Sequence, residues 1–271
     1  MENINMTIQK MNMPEHVKKR MKNFIENQQL KNWNQSEESL ENLKKVNEYR
    51  CTKCRDMTFI IVNDEAIPYE CRALRQAEDI LKKSGISEEF RNKRFSNFDY
   101  ERSMQMVDAY KVATYYLRNF KKFEKERANS IMFMGQVGAG KSHLSFSIAN
   151  ELMDSGVGVV YMSYREVITR IKQNITDEVY YHRIMGRYKN ARVLLIDDLF
   201  KGKITESDVN IVFELLNFRY FNKLPVIVSC EMDVEGLLDV DEAIGSRLME
   251  MSKGYLVRFS GKKMNYRMYS S

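Results

Sequence analysis

The stretch from Gly135 to Ser142 has the residue types and spacing that bind nucleotide phosphates. Its sequence, GQVGAGKS, fits Gly-x-x-x-x-Gly-Lys-Ser, the phosphate-binding P-loop. Glycines let backbone N–H groups converge on phosphate oxygens without clashes from Cβ atoms. Lys141 is expected to reach the β and γ phosphates, and Ser142 to ligate Mg²⁺. The alternative is a glycine turn that contains Gly-Lys-Ser by chance. The residues predicted to contact the nucleotide are Gly135, Gly138, Ala139, Gly140, Lys141, Ser142 and His143.

Two carboxylates end a second apolar run, ARVLLIDD at residues 191–198. This pattern is typical of a Walker B strand, in which Asp197 holds Mg²⁺, usually through water. Asp198 is expected to polarise the water that attacks the γ-phosphate of ATP. A kinase would need only the first carboxylate, so the pair favours ATP hydrolysis. The alternative for Asp198 is a solvated carboxylate at a strand end.

Apolar runs and helical patterns alternate around these residues. Residues 131–134 are predicted to form a buried strand before the P-loop, and residues 143–153 a helix after it. Further strands are predicted at 158–163, 191–198, 224–230 and 255–259. Residues 205–208, TESD, fit a capping box that opens another helix. Strands that alternate with helices indicate an α/β fold, with a parallel five-stranded sheet flanked by helices.

The composition narrows the class of protein further. With 271 residues, 44% of them hydrophobic, the chain can bury a core, so global disorder is not expected. No apolar run approaches the roughly 18 residues of a membrane span. Four cysteines and no secretory signal at residues 1–20 indicate a reducing cytoplasm. The net charge of +6 permits nucleic-acid binding without requiring it.

The chain is predicted to have three parts: an N-terminal region at 1–85, a linker at 86–100 and an ATPase domain at 101–271. Residues 1–50 follow helical patterns with thin apolar faces. Such faces bury little area alone, so they need a partner surface on this chain or on another protein. A small helical bundle packed on itself is equally consistent with the pattern.

Three cysteines, Cys51, Cys54 and Cys71, have a spacing that suggests a zinc site opened by Cys-x-x-Cys. A structural zinc site takes four ligands, and Tyr69 stands where a cysteine would complete the set. The alternative is a degenerate knuckle held by packing alone. Cys230 lies on a predicted core strand and is expected to be a small buried side chain.

Residues 164–189 are predicted to be helical and are rich in basic and aromatic side chains. The aromatic residues interleaved with the arginines and lysines are Tyr180, Tyr181 and Tyr188. Basic residues together with stacking residues suit single-stranded nucleic acid. A solvated amphipathic helix is the alternative.

Taken together, these segments resemble the DnaC/DnaI-type replicative helicase loaders, which are AAA+ ATPases of bacteria, phages and integrative elements. The resemblance covers roughly Cys51 to Arg267. It rests on CTKC…YEC, SGISEEFRNKRFSNF, GQVGAGKS, LLIDDLFKGKITESD and VDEAIGSRL.

The resemblance implies that ATP and Mg²⁺ bind at the P-loop and the paired carboxylates. It further implies that Arg247 is an arginine finger that reaches the neighbouring subunit, and that Arg267 is a second phosphate-sensing arginine. Glu231 stands where the family usually has an asparagine that faces the γ-phosphate, and Ser229 is a nearby substitute.

The resemblance also implies partners. The N-terminal region would bind a hexameric replicative DNA helicase, and the 164–189 insertion would face single-stranded DNA. Subunits would self-associate with ATP at their interfaces, and no helical lid would follow the last strand. An IstB-type transposition helper ATPase is the first alternative, and the cysteine segment argues against it. A P-loop kinase of small molecules is the second, and the paired carboxylates and Arg247 argue against it.

Overall fold

The computed structural model describes residues 51, 53–62, 65–69, 71–72, 79, 82–261 and 264–269. The chain divides into two compact units, Met1–Leu74 and Arg75–Ser271. This division lies before residue 85, where the sequence places the end of the N-terminal region. The helical patterns predicted within residues 1–50 lie outside the described residues.

The described part of the first unit contains a turn and an antiparallel hairpin. Strand β1 (Phe59–Val62) pairs with β2 (Glu65–Pro68), with Ile60 opposite Ile67. Residues 58–62, TFIIV, are the β-branched and aromatic types that favour strands, and they include all of β1. The turn before β1 contains left-handed backbone at Arg55, Asp56 and Thr58, and the hairpin separates the Cys-x-x-Cys pair from Cys71 along the chain.

The second unit contains a five-stranded parallel sheet in the order β4-β5-β6-β3-β7. The strands are β3 (Ile131–Gly135), β4 (Val159–Ser163), β5 (Val193–Leu199), β6 (Val226–Cys230) and β7 (Leu256–Phe259). These are the five strands that the sequence predicts, each with bounds shifted by at most two residues. Their near-continuous apolar sequences suit a parallel sheet that is covered on both faces.

Helices cover the sheet on both sides. They are α1 (Glu88–Arg91), α2 (Met104–Phe123), α3 (Lys141–Asp154), α4 (Tyr164–Gln173), α5 (Glu178–Lys189), α6 (Glu206–Phe221), α7 (Val234–Val240), α8 (Glu242–Met251) and α9 (Tyr266–Tyr269). Side chains of β3 alternate between two buried clusters, because successive residues of a strand point to opposite faces. Phe133 packs in the cluster that includes α2 and α3, and Met132 in the cluster that includes α4 to α8.

Of two helix predictions made from the sequence, the structure agrees with one and differs from the other. The capping box at the start of α6 is confirmed: Thr205 and Asp208 exchange side-chain-to-backbone hydrogen bonds. The single helical stretch expected at 164–189 is wrong in detail, because the chain breaks between Gln173 and Glu178 into α4 and α5. Asp177 caps α5 by accepting a hydrogen bond from the backbone N–H of Tyr180 (2.9 Å).

The 86–100 segment, expected to be a linker, packs on the P-loop helix α3 within the second unit. The ring of Phe90 stacks on Phe146 with centroids 4.3 Å apart. The side-chain amide of Asn150 donates to the backbone carbonyls of Phe90, Arg91 and Lys93 at 2.9–3.2 Å. These carbonyls lie at and just after the end of the short helix α1, so the hydrogen bonds from Asn150 hold the segment against α3.

The order of the strands determines where the functional candidates meet. Strand β6 lies between the P-loop strand β3 and the Walker B strand β5. All three strands are parallel, so their carboxyl ends share one edge of the sheet. The P-loop, the paired aspartates and Glu231 therefore meet at that edge. No helix among the described residues is long and apolar enough to cross a membrane.

Candidate nucleotide-binding site

Three glycines of the P-loop are fixed by close neighbours as well as by backbone conformation. Gly135, Gly138 and Gly140 have φ values of 99°, 73° and 82°. A Cβ at Gly135 would lie 2.1 Å from the carbonyl oxygen of Phe259. A Cβ at Gly140 would lie 2.6 Å from the ring of Phe98. Left-handed backbone and these contacts both exclude larger residues at these positions, so the loop conformation depends on glycine.

Lys141 opens helix α3 and crosses the P-loop. Its ammonium donates to the carbonyl oxygens of Gly135 (2.7 Å) and Gln136 (2.8 Å), and the residue is only 5% exposed. Burial lowers the pKa of Lys141, while the negative charges of Glu231 and Asp198 oppose that shift. The ammonium is thus a buried cation at the mouth of the loop, where a triphosphate would supply the missing anionic partner.

The magnesium candidates lie in direct contact. The hydroxyl of Ser142 donates to Oδ1 of Asp197 (2.7 Å), and the hydroxyl of Ser229 donates to the same oxygen (2.5 Å). Burial raises the pKa of Asp197, and the two serine hydrogen bonds oppose the rise. A hydroxyl and a carboxylate oxygen are hard ligands of the kind that Mg²⁺ takes at phosphate sites, so Ser142 and Asp197 fit the ion. Ser229 is fully buried and positions Asp197.

Asp198 projects from an irregular end of β5. Its φ is 56°, and the register between β5 and β6 shifts between Ile196 and Leu199. The backbone N–H of Asp198 donates to the hydroxyl of Ser229 (2.8 Å), and Oδ2 accepts a hydrogen bond from Lys201 (2.8 Å). This bulge turns the second aspartate away from the ladder, as bulges near active sites commonly do.

Glu231 follows β6 and lines the cavity beside the P-loop. Its Oε1 lies 2.8 Å from the ammonium of Lys201, which also contacts Asp198. Sequence reasoning identified both carboxylates but missed Lys201. The position of Lys201 three residues after Asp198 could have indicated its contact with that carboxylate. Its contact with Glu231 depends on the strand order, which the sequence does not give directly.

His143 directs its ring nitrogen toward the 86–100 segment. Nε2 lies 2.9 Å from both the carbonyl oxygen of Arg94 and Oδ1 of Asn97. The ring also meets Phe98 edge-on, with centroids 5.2 Å apart. Burial lowers the pKa of His143. His143 was predicted to contact the nucleotide. Its contacts here are with the 86–100 segment, which it connects to the start of α3, and the sequence did not reveal this role.

The cavity at the P-loop has a volume of about 440 Å³, within the range of small-molecule sites. Its lining includes Lys141, Ser142, Asp198 and Glu231 and, unpredicted, Lys93, Asn97, Phe98, Asp99, Met106 and Tyr266. The backbone N–H of Tyr266 donates to the carbonyl of Gly138 (2.9 Å). This bond brings the short helix α9 to the P-loop. Arg267 follows Tyr266 in that helix, and its side chain lies outside the described part of the structure.

Arg247 lies on α8, packed against α6. Its guanidinium is over the rings of Phe213 (5.2 Å) and Tyr220 (5.4 Å), and Nη1 donates to the carbonyl of Ala243 (2.8 Å). Among the described residues, none of these contacts is with the P-loop or the paired aspartates of the same chain. The arginine is therefore held by aromatic faces, and Nε is buried without a hydrogen-bond partner in the described structure.

The three predicted metal-ligating cysteines lie together in the first unit. The Sγ atoms of Cys51, Cys54 and Cys71 all lie within 4.8 Å of one another, and those of Cys54 and Cys71 are 3.2 Å apart. The backbone N–H of Cys51 donates to Oδ1 of Asp56 (2.9 Å), which holds the turn closed. Three thiols at this spacing fit a Zn²⁺ ion with Zn–S bonds of about 2.3 Å.

The thiols of this group differ in acidity. The hydrogen bond from Cys71 to Cys54 raises the pKa of Cys71 to about 11. Burial alone would raise the pKa of Cys54, but hydrogen bonds from Cys71, Cys51 and the backbone at Thr58 and Asp56 lower it to about 7. Of the pair Cys54 and Cys71, Cys54 is thus the first expected to be a thiolate, the form that binds metal.

We predict about one zinc per chain, bound through Cys51, Cys54, Cys71 and a fourth group. Because the ligands are thiolates, zinc affinity should fall as the pH falls. Metal analysis of protein purified without chelators measures the content, and a Cys54→Ser variant should lose the metal. Cys230→Ser, which removes a buried thiol elsewhere, is the matched control. Zinc below about a tenth of the protein content would support a knuckle held by packing alone.

Comparison with known proteins identifies the family. A family model described as "IstB-like ATP binding protein" matches residues 29–243. The phage-like element PBSX protein XkdC of Bacillus subtilis is 35% identical over 233 residues, which cover 81% of this chain and 86% of the relative. The replicative helicase loader DnaC of Buchnera aphidicola (subspecies Baizongia pistaciae) is 25% identical over 233 residues, with 83% and 80% covered.

Solved structures agree on the fold. The structure described as "Crystal Structure of the DnaI" has a TM-score of 0.53 at 20% identity, and the match covers 66% of this chain and 94% of that one. Identity at this level supports the fold alone. Together with a family model that spans most of the sequence, it establishes that the chain belongs to the IstB/DnaC-like family of AAA+ ATP-binding proteins and is an ATPase of that family.

Proposed function

We propose that this protein is an ATP-dependent loader of a replicative DNA helicase onto single-stranded DNA. The observation that carries the proposal is a P-loop site in a chain whose relatives include proteins named as replicative helicase loaders. Relatives named as replicative helicase loaders match 70–83% of this chain. The loader role comes to this chain from those relatives and from the resemblance of its motifs.

In the proposed cycle, ATP joins subunits and hydrolysis separates them. The P-loop and Mg²⁺ candidates of one chain bind the triphosphate, and Arg247 of another chain completes the site. Bound Mg²⁺ would neutralise phosphate charge and favour transfer to water. Asp198, whose carboxylate accepts a hydrogen bond from Lys201, would orient and deprotonate that water. Hydrolysis followed by release of the inorganic phosphate would remove the charge that Arg247 contacts, so the assembly would loosen and leave the helicase on DNA.

Loading can be tested with the full chain and the purified replicative helicase of the source organism. Mixtures with ATP should form a complex on size-exclusion chromatography, and the complex should start unwinding from circular single-stranded DNA. A Lys141→Ala variant controls for nucleotide dependence. No complex with the helicase at micromolar concentrations, with and without ATP, would refute the proposal.

A transposition helper ATPase is the second candidate, because the matching family model is named for IstB. That model covers residues 29–243 and so includes the cysteine segment, which therefore does not separate the two candidates. The same preparation distinguishes them by partner. A helper ATPase should bind duplex DNA with a transposase and leave the helicase free.

The structure refines which residues of the 164–189 region could meet DNA. Tyr188 is buried. The ring of Tyr181 packs against the core and its hydroxyl donates to Glu214, so neither ring is free to stack on bases. Arg219, which is fully buried, donates to the carbonyls of Tyr188, Lys189, Ala191 and Pro225. It thereby anchors the end of α5.

Tyr180 stays partly exposed, with the guanidinium of Arg183 5.4 Å from its ring centre.

We predict that DNA affinity depends on salt and on this pair. The logarithm of the affinity should fall with the logarithm of salt concentration by about 0.7 per phosphate contacted. Arg183→Ala should flatten that slope. Tyr180→Ala should weaken binding by about 1–3 kcal/mol without changing the slope, since stacking is not ionic. Fluorescence anisotropy with labelled single strands measures both.

The matched control for this test is Tyr181→Phe, which loses only the hydroxyl bonded to Glu214. ATP should strengthen binding by aligning the contacts of several subunits. Binding that ignores salt, ATP and both substitutions would return this region to a solvated surface.

A further inference from the structure

Lys201 lies between two carboxylates that come from different strands. Its Nζ is 2.8 Å from Oδ2 of Asp198, near the end of β5, and 2.8 Å from Oε1 of Glu231, which follows β6. The backbone N–H of Lys201 donates to the carbonyl of Asp198 (3.1 Å). Within this turn Asp198 and Phe200 have φ values of 56° and 58°, a conformation that non-glycine residues seldom adopt. Strained backbone at a functional edge commonly serves to place a side chain.

The negative charge of Glu231 would repel a bound triphosphate, and the positive charge of Lys201 can offset that repulsion. The glutamate lines the P-loop cavity together with Lys141, and its negative charge acts on the buried ammonium there. A triphosphate bound by Lys141 would bring its own negative charge toward Glu231. Like charges at such range repel, and more strongly in a partly buried site than in water. Lys201 also lines this cavity, so its charge lies where the repulsion would arise.

The number of hydrogen-bond donors on the ammonium of Lys201 adds a second argument. A lysine ammonium has three N–H donors. Two are directed at Asp198 and Glu231 in the described structure, so one remains for a further acceptor. The side chain of Lys201 is 40% exposed, and its flexible stem allows the ammonium to turn toward the cavity without breaking a packed core.

We propose that Lys201 is an additional γ-phosphate-binding residue, which neutralises Glu231 and donates its third N–H to a γ-phosphate oxygen. The pair Lys201–Glu231 thereby does the work of the neutral polar side chain expected after β6. By holding Oδ2, Lys201 also leaves Oδ1 of Asp198 for the attacking water. This inference rests on the P-loop being the ATP site, and it is independent of the helicase.

The test compares ATP with ADP in the full chain. Lys201→Met should weaken ATP binding about ten-fold or more and ADP binding less than about three-fold, because only ATP carries the γ-phosphate. Titration calorimetry with Mg²⁺ present measures both affinities. Lys203→Met removes the same charge from an exposed lysine two positions away and should change neither affinity. Lys141→Ala should weaken both nucleotides and so reports on the site itself.

The double variant Lys201→Met/Glu231→Gln provides the decisive comparison. Removing the glutamate charge should restore much of the ATP affinity lost in Lys201→Met, a rescue that a merely structural lysine would not produce. Equal losses for ATP and ADP, or no rescue, would overturn the role of Lys201 while leaving the P-loop site in place. Failure of the unmodified protein to bind either nucleotide would instead overturn the ATP site on which the proposed function depends.

Discussion

Lys141→Ala is expected to abolish ATP turnover and to weaken nucleotide binding. Lys141 lines the P-loop cavity and is 5% exposed, and its ammonium is held by two P-loop carbonyls. No other described lysine or arginine has its ammonium or guanidinium on those carbonyls. Removing one preorganised electrostatic contact to a transition state commonly costs about 10²–10³ in rate. The charge of Lys141 also offsets the transferring phosphate, so the loss should reach at least that range.

The measurement is phosphate release at saturating ATP, with nucleotide affinity determined separately. Lys141→Arg keeps the charge but not the compact ammonium, so it should also be slow. Lys253→Ala, at an exposed lysine outside the cavity, is the matched control. A thermal melt like that of the unmodified protein would show that the fold survives. Turnover at the unmodified rate in Lys141→Ala would remove the P-loop from the mechanism.

The core of this site could be predicted from sequence because its parts are local. The P-loop and the Walker B run are each continuous in the chain, so spacing alone identifies Lys141 and Asp197. The sheet was also predictable, since buried parallel strands are short apolar runs separated by helical patterns. Both predictions are matters of local pattern, and both match the fold.

The parts that sequence did not reveal are contacts between distant segments. The ring of Phe98 closes on Gly140, and Lys201 meets Glu231 only because β5 and β6 are neighbours in the sheet. Neither contact leaves a periodic trace in the sequence. The burial of Tyr188 is similar, because it depends on packing against α6. The aromatic residues interleaved with arginines predicted a surface that stacks on bases, but Tyr188, one of these residues, belongs to the core.

Arg247→Ala is expected to leave nucleotide binding nearly intact and to reduce hydrolysis strongly. Its guanidinium lies over Phe213 and Tyr220, and the described contacts do not include the phosphate site of its own chain. A role in hydrolysis therefore requires a neighbouring subunit. Arginine fingers supply about 10³–10⁵ in rate where they act. The side chain also packs on aromatic rings, so its loss could affect folding as well as catalysis. Arg247→Lys keeps the positive charge and an aliphatic stem, and a thermal melt of each variant shows whether the fold survives.

Mixing two inactive variants tests the action between subunits. Under the proposed roles, Arg247→Ala keeps Asp198 to orient water but lacks the arginine finger, whereas Asp198→Asn lacks the water-orienting carboxylate but keeps the finger. In a mixed assembly, an Arg247→Ala subunit that receives Arg247 from an Asp198→Asn neighbour has a complete site. Mixtures should therefore regain part of the ATPase activity, at protein concentrations where ATP drives association. Activity that stays at the level of the separate variants, in assemblies shown to be mixed, would place Arg247 outside the site of its neighbour.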